Sequence, residues 1–144
     1  MKRAVLGVAA VAIIIGAIVG VKYFDIGLSK EAKRDRYVAK GREYIAAKKN
    51  NEAVIEFRNA LKLDPSSAEL HHELGLALLA RAAYPTALSE FTRATDLKPD
   101  FLPARYQLGI VYVLGGDLKK AGAELEQIRR YKKDASEAHM LAAR

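Results

Sequence analysis

The chain has 144 residues, half of them hydrophobic, which is enough for one modest core and excludes wholesale disorder. The absence of cysteine excludes disulfide frameworks, Cys-ligated zinc, thiol catalysis and a lipid-modified N-terminal cysteine. The formal charge of +7 is spread thinly, residues 1–30 carrying +3 of it (Lys2, Arg3, Lys22 and Lys30 against Asp25), whereas nucleic-acid binding needs clustered Lys and Arg.

The first element is apolar. Met1-Lys2-Arg3 leads into an unbroken uncharged run from Ala4 to Val21, and Tyr23-Phe24 follow Lys22. As a helix this run is about 27 Å long, which matches a bilayer core. The expectation is a transmembrane anchor over residues 1–24 that meets membrane lipid through residues 4–24, with residues 25–33 as a linker or helix extension. A cleaved secretory signal is the rival reading. The missing Ala-x-Ala site and the length of the run favour the uncleaved anchor. Lys2 and Arg3 favour a cytoplasmic N-terminus, and Lys22, Lys30, Lys33, Arg34 and Arg36 oppose it. Signal-anchor behaviour of the short basic start places the C-terminal part outside, as a single-pass inner membrane protein with a periplasmic domain. Ala12, Gly16 and Gly20 recur every fourth position, a small-residue stripe that suits membrane helix packing and self-association through Gly16 and Gly20, beside the plainer reading of an anchor without a partner.

The rest of the chain repeats itself. The shift that carries Gly41 onto Gly75 carries Gly75 onto Gly109, and it also superposes Ala53, Ala87 and Ala121; Tyr44, Leu78 and Tyr112; Phe57, Phe91 and Leu125; and Pro65 with Pro99. Each unit reads as two helices. In the second unit Leu70, Leu74, Ala77 and Leu78 form one helical stripe, and Ala87, Leu88, Phe91, Ala94 and Thr95 form the next. Ser66 with Glu69 has capping-box spacing, Pro85 suits a first helical turn, and Pro99 closes the unit. In the third unit Gly115-Gly116 offers a left-handed stop and Asp117 an N-cap, while Asp134 with Glu137 suggests the start of a last short helix.

These recurring residues resemble the tetratricopeptide repeat family over residues 34–135. The stretch VIEFRNALKLDPSSAELHHELGLALL is similar to bacterial cell-envelope members of it. The resemblance implies an all-α fold: behind the transmembrane helix, an α-solenoid of three hairpins (34–67, 68–101, 102–135) and a short capping helix over 136–144. The pattern departs at Lys133, which replaces the closing proline, at Ile128, which replaces a small alanine, and at Lys40, which replaces a leucine.

The resemblance further implies a concave, partner-binding groove lined by the first helix of each unit: Val38, Arg42, Ile45, His72, Leu76, Leu79, Tyr106, Ile110, Val113 and Leu114. Such a surface is mostly apolar and suits an amphipathic helix or an extended apolar peptide, or else is partly self-buried. The family's chaperone-binding members clamp a terminal carboxylate with Lys, Asn and Arg. Val38, Arg42, Pro103 and Gln107 occupy those places here, so the clamp is essentially absent.

Nothing in the sequence reads as a catalytic, cofactor or metal site. His71 and His72 are adjacent on a helix and point about 100° apart, so they do not share a metal readily. No nucleophile elbow or phosphate loop occurs. Arg129-Arg130-Tyr131-Lys132-Lys133 is the densest basic run, explained either by an acidic partner or headgroup or by a solvated helix terminus. The combined expectation is a non-enzymatic, membrane-anchored scaffold or assembly subunit that binds a protein partner through the groove. Its rival is a subunit of a membrane complex held mainly by the transmembrane helix.

Overall fold

Three side chains that compete with the backbone for hydrogen bonds set where helices begin. In the computed structural model, which describes residues 28–142 and the side chains of 28–136, Ser29 accepts from the Ala32 N–H at 3.2 Å and opens helix α1 (Lys30–Ala46). Ser67 does the same for α3 (Ala68–Leu79) by accepting from the Leu70 N–H at 3.2 Å. The cap is therefore Ser67, one position beyond the expected Ser66. Asp117 accepts from the Lys120 N–H at 3.0 Å ahead of α6 (Leu118–Ala142). The helices α2 (Asn50–Leu63), α4 (Tyr84–Leu97) and α5 (Leu102–Leu114) start without a side-chain cap, and Pro85 and Pro103 sit in the first turns of the last two, where a missing N–H costs nothing.

The helices pair in sequence as hairpins α1/α2, α3/α4 and α5/α6, and each hairpin packs on the next through α2 against α3 and α4 against α5. The turns inside the hairpins are three copies of one conformation. Lys48, Ala82 and Gly116 take φ of 58°, 55° and 76°, and the Lys49, Ala83 and Asp117 N–H groups donate to the carbonyls of Tyr44, Leu78 and Tyr112 at 2.8, 3.0 and 2.8 Å. The first two turns hold a left-handed residue without the glycine that makes it inexpensive.

The core lies where the second helix of a hairpin meets the first. Phe57 and Phe91 are wholly buried, with Ala53, Ala87, Leu74, Ala77 and Leu78 around them. Each such phenylalanine contributes roughly 1.5–3 kcal/mol by leaving water. Ala68, Ala94 and Ala104 form a small-residue cluster where α3, α4 and α5 converge beside Phe101.

Two expectations are corrected. Among the described residues no helix is long and apolar enough to cross a membrane. The apolar helices α3 and α5 have 12 and 13 residues, ~18–20 Å against a hydrocarbon core of ~30 Å. The 25-residue α6 carries charges along its length. The transmembrane helix, the single-pass inner-membrane placement and the membrane-subunit reading built on them thus have no counterpart among the described residues. The run Ala4 to Val21, with Ala12, Gly16 and Gly20, lies outside the described residues. The separate capping helix over 136–144 is absent too, because α6 continues through Lys133 to Ala142. With lysine in place of proline, every N–H in that stretch can donate and nothing forces a break.

A candidate docking surface on the last hairpin

The residues expected to line one groove separate into two environments. Val38, Ile45, Leu76 and Leu79 are half-buried and pack against the core. Arg42 is held by Glu73 on the neighbouring α3, its Nε and Nη2 donating to Oε1 at 2.9 and 2.7 Å. His72 turns into the junction between hairpins, with ring centroids 5.8 Å from Phe91 and 5.4 Å from Phe101. Burial pushes its pKa below 6.5, against a weaker opposing pull from Glu73. Its Nε2 is buried and meets no hydrogen-bond partner among the described residues. His71, its neighbour in sequence, faces elsewhere, and its Nδ1 lies 2.7 Å from Glu90 Oε2.

The third-unit residues behave differently. Tyr106, Ile110, Val113 and Leu114 are all exposed, and they line a cavity of about 420 Å³ together with Gly109 and with Ala121, Gly122, Leu125 and Ile128 of α6. The α6 side of this hollow was not among the expected site residues. The repeat explains why it is open. Leu125 stands where Phe57 and Phe91 stand in the earlier units, yet it is 45% exposed while they are 0%. Gly41 and Gly75 lie under those phenylalanine rings, whereas Gly109 has nothing within 4 Å of the place a Cβ would occupy. The smaller Leu125 does not fill the space, and no described hairpin follows to cover it. Of the eight large hydrophobics most exposed among the described residues, Tyr106, Ile110, Val113, Leu114, Leu118 and Leu125 all belong to this hairpin. Single exposed apolar side chains are normal on a protein surface, but a cluster on that scale is a candidate interaction site.

Polar groups frame the hollow. Arg105 Nη1 donates to Glu124 Oε2 at 2.9 Å, a partly buried pair that ties α5 to α6 as His71 and Glu90, one repeat earlier, tie α3 to α4. Lys132 Nζ lies 5.8 Å from the Tyr106 ring centroid, within cation–π range. A second hollow of about 450 Å³, between Tyr84, Leu88, Tyr112 and Leu114, is bordered by Asp117 and Lys120. These two are paired at 3.1 Å, and hydrogen bonds from the Lys120 backbone and side chain hold the Asp117 carboxyl below its usual range. The α5/α6 cavity presents an almost wholly apolar lining and this second hollow a more polar one, so the α5/α6 cavity is the stronger candidate for an apolar ligand. Among the described residues no group of three or more His, Cys, Asp or Glu could hold a metal ion.

The comparisons with known proteins agree with the repeat. A "TPR repeat" family model matches residues 41–81 and a "Tetratricopeptide repeat" model matches residues 78–144. The chain is 29% identical over 115 residues to Superkiller complex protein 3 of Homo sapiens, covering 75% of this chain and 7% of that protein. It is 35% identical over 91 residues to a TPR repeat-containing protein of Pseudomonas aeruginosa, covering 62% and 37%. It spans less than a tenth of the length of the first curated relatives, 6–7% of each. A crystal structure of MamA superposes with a TM-score of 0.71 at 19% identity, covering 82% of this chain and 77% of that one. The TPR2B domain of yeast Sti1 in its pHsp70 complex superposes at 0.69 and 19%, covering 73% and 84%. With repeat models spanning residues 41–144 between them and the same succession of helical hairpins, the chain belongs to the tetratricopeptide repeat family.

Proposed function

We propose that the chain is a protein-interaction module, a scaffold or assembly subunit, that holds an apolar segment of another protein on its last hairpin. The observation that carries this reading is the α5/α6 cavity with its exposed Tyr106, Ile110, Val113, Leu114 and Leu125. Binding energy would come from removing this surface from water, at about 25 cal/mol per Å², offset by the ordering of the partner. The three repeats, taken as 34–67, 68–101 and 102–135, form the rigid support, and no catalytic role is proposed.

Peptide binding by neighbours in the fold supports the class of activity, since the second TPR of Spaghetti is described bound to the HSP90 peptide SRMEEVD. The chemistry proposed here is different. The places of a carboxylate clamp hold Val38, Arg42, Pro103 and Gln107, and Arg42 is already engaged by Glu73. The test is affinity capture with the wild-type chain, Ile110→Glu and, as an exposed control on α2, Ile55→Glu. Loss of a specifically captured protein with Ile110→Glu alone, at unchanged helicity, supports the site. Equal capture by all three would remove it.

A further inference from the structure

The open face of α5 and α6 is the third instance of a surface that this chain covers twice with its own helices. α3 lies on the first hairpin and α5 on the second. The covering helices bury Leu70, Leu74 and Ala77 in α3 and Ala104, Leu108 and Val111 in α5, one stripe at i, i+4 and i+7 displaced by a single repeat. Each covering helix follows a short turn after the preceding second helix and runs antiparallel to it. On the last hairpin Gly109 and Gly122 have no heavy atom within 4 Å of a would-be Cβ, so a helix backbone can approach there.

We propose that this face docks an amphipathic helix of a partner protein, seated as α5 sits on the second hairpin, with apolar residues at i, i+4 and i+7 and acidic residues in its first turn. The inference rests on the docking function proposed above and names the partner's form. A helix seated in this way runs antiparallel to α6, so its N-terminus lies over the C-terminal half of α6. There Lys132 borders the cavity beside Tyr106, and Arg129 follows Leu125 by one helical turn. Glu124 is paired with Arg105 and Glu126 with Arg129, so the net positive charge of this rim rests on Lys132 beside Tyr106. Carboxylates in the incoming first turn meet this basic rim and also the positive end of their own helix dipole. A second copy of this chain stacked head to tail fits poorly. Its α1 carries Arg36, Lys40 and Glu43 where α3 carries Leu70, Leu74 and Ala77, and two of those three charges would meet the rim with like sign.

The probe is a labelled peptide of residues 66–80, SSAELHHELGLALLA, which carries the stripe and Glu69 in its first turn, titrated into the full chain by fluorescence anisotropy and circular dichroism. The expected result is saturable binding with a gain of peptide helicity, weakened about tenfold or more by Gly122→Leu. That substitution projects into open space, so the fold is retained. Lys132→Glu should weaken binding by about threefold or more and reduce its salt dependence. A Gly75→Pro peptide that binds equally well would overturn the helical occupant while leaving the docking function standing. Binding insensitive to Gly122→Leu, or no binding, overturns the proposal, and the capture experiment above then judges the docking function separately. Self-association of the wild-type chain that Gly122→Leu abolishes would assign the face to a second copy and overturn it as well.

Discussion

A Cβ built on Gly75 would stand 2.5 Å from Cε1 of Phe91, and one on Gly41 would stand 2.6 Å from Cε1 of Phe57. The glycine is thus the socket for the aromatic ring of the following helix. At Gly109 the socket is empty. Gly75→Ala is expected to lower stability by about 1–3 kcal/mol through overpacking. Gly109→Ala should raise it by about 0.5–1 kcal/mol, because alanine favours the helix and meets no obstacle. Urea denaturation of the two variants checks the opposite signs.

The turn at Ala82 holds a non-glycine residue at φ 55°, as the equivalent turn holds Lys48 at 58°, while Gly116 occupies the third at 76°. Ala82→Gly relieves a left-handed conformation worth about 1–2 kcal/mol and gives part of this back as extra freedom of the unfolded chain. Thermal unfolding should show a modest net stabilisation. The reverse change, Gly116→Ala, should destabilise.

His72 is half-buried between Phe91 and Phe101, and burial of its ring lowers its pKa from 6.5. Below pH 6.5 the unfolded chain binds this proton more readily than the folded one, so stability falls as pH drops through that value towards the folded pKa. The carboxylates of Glu31 and Glu69, lowered from 4.5 first by hydrogen bonds from their own backbone N–H, lose their contribution only at more acidic pH. Denaturant midpoints measured between about pH 7.5 and 5 should therefore decline, and His72→Phe should flatten the decline. A titrating His72 resonance at or above 6.5 would contradict this.

The peptide SRMEEVD, which the second TPR of Spaghetti binds, should show no saturable binding to this chain. Val38, Pro103 and Gln107 offer it no cation, and Arg42 would have to leave Glu73. Isothermal titration is a sufficient check.

The repeat and its hairpins were legible because a fixed period places like side chains in like surroundings, and Phe57 and Phe91 show that the correspondence is physical. The site was legible only in part. Tyr106, Ile110, Val113 and Leu114 face the open hollow, but Val38, Ile45, Leu76 and Leu79, on the first helices of the earlier units, are half-buried against the core because a further hairpin covers them. The α6 half of the hollow was missed because Leu125 matches a buried phenylalanine in the repeat. Its exposure goes with its smaller size and with the lack of a covering helix among the described residues. The continuous α6 was misread because Asp134 and Glu137 have capping-box spacing, and that spacing does not break a helix in which Lys133 replaces the proline.

The most direct measurement of the central claim is photo-crosslinking from a probe placed in turn at Ile110, Leu125, Leu76 and Ile55, with mass spectrometry of the products. The account expects one dominant protein captured from Ile110 and Leu125, competed by the peptide of residues 66–80, with little from Leu76 and none from Ile55. Dominant capture from Leu76 or Ile55, with none from Ile110 and Leu125, would contradict it and move the interaction away from the last hairpin.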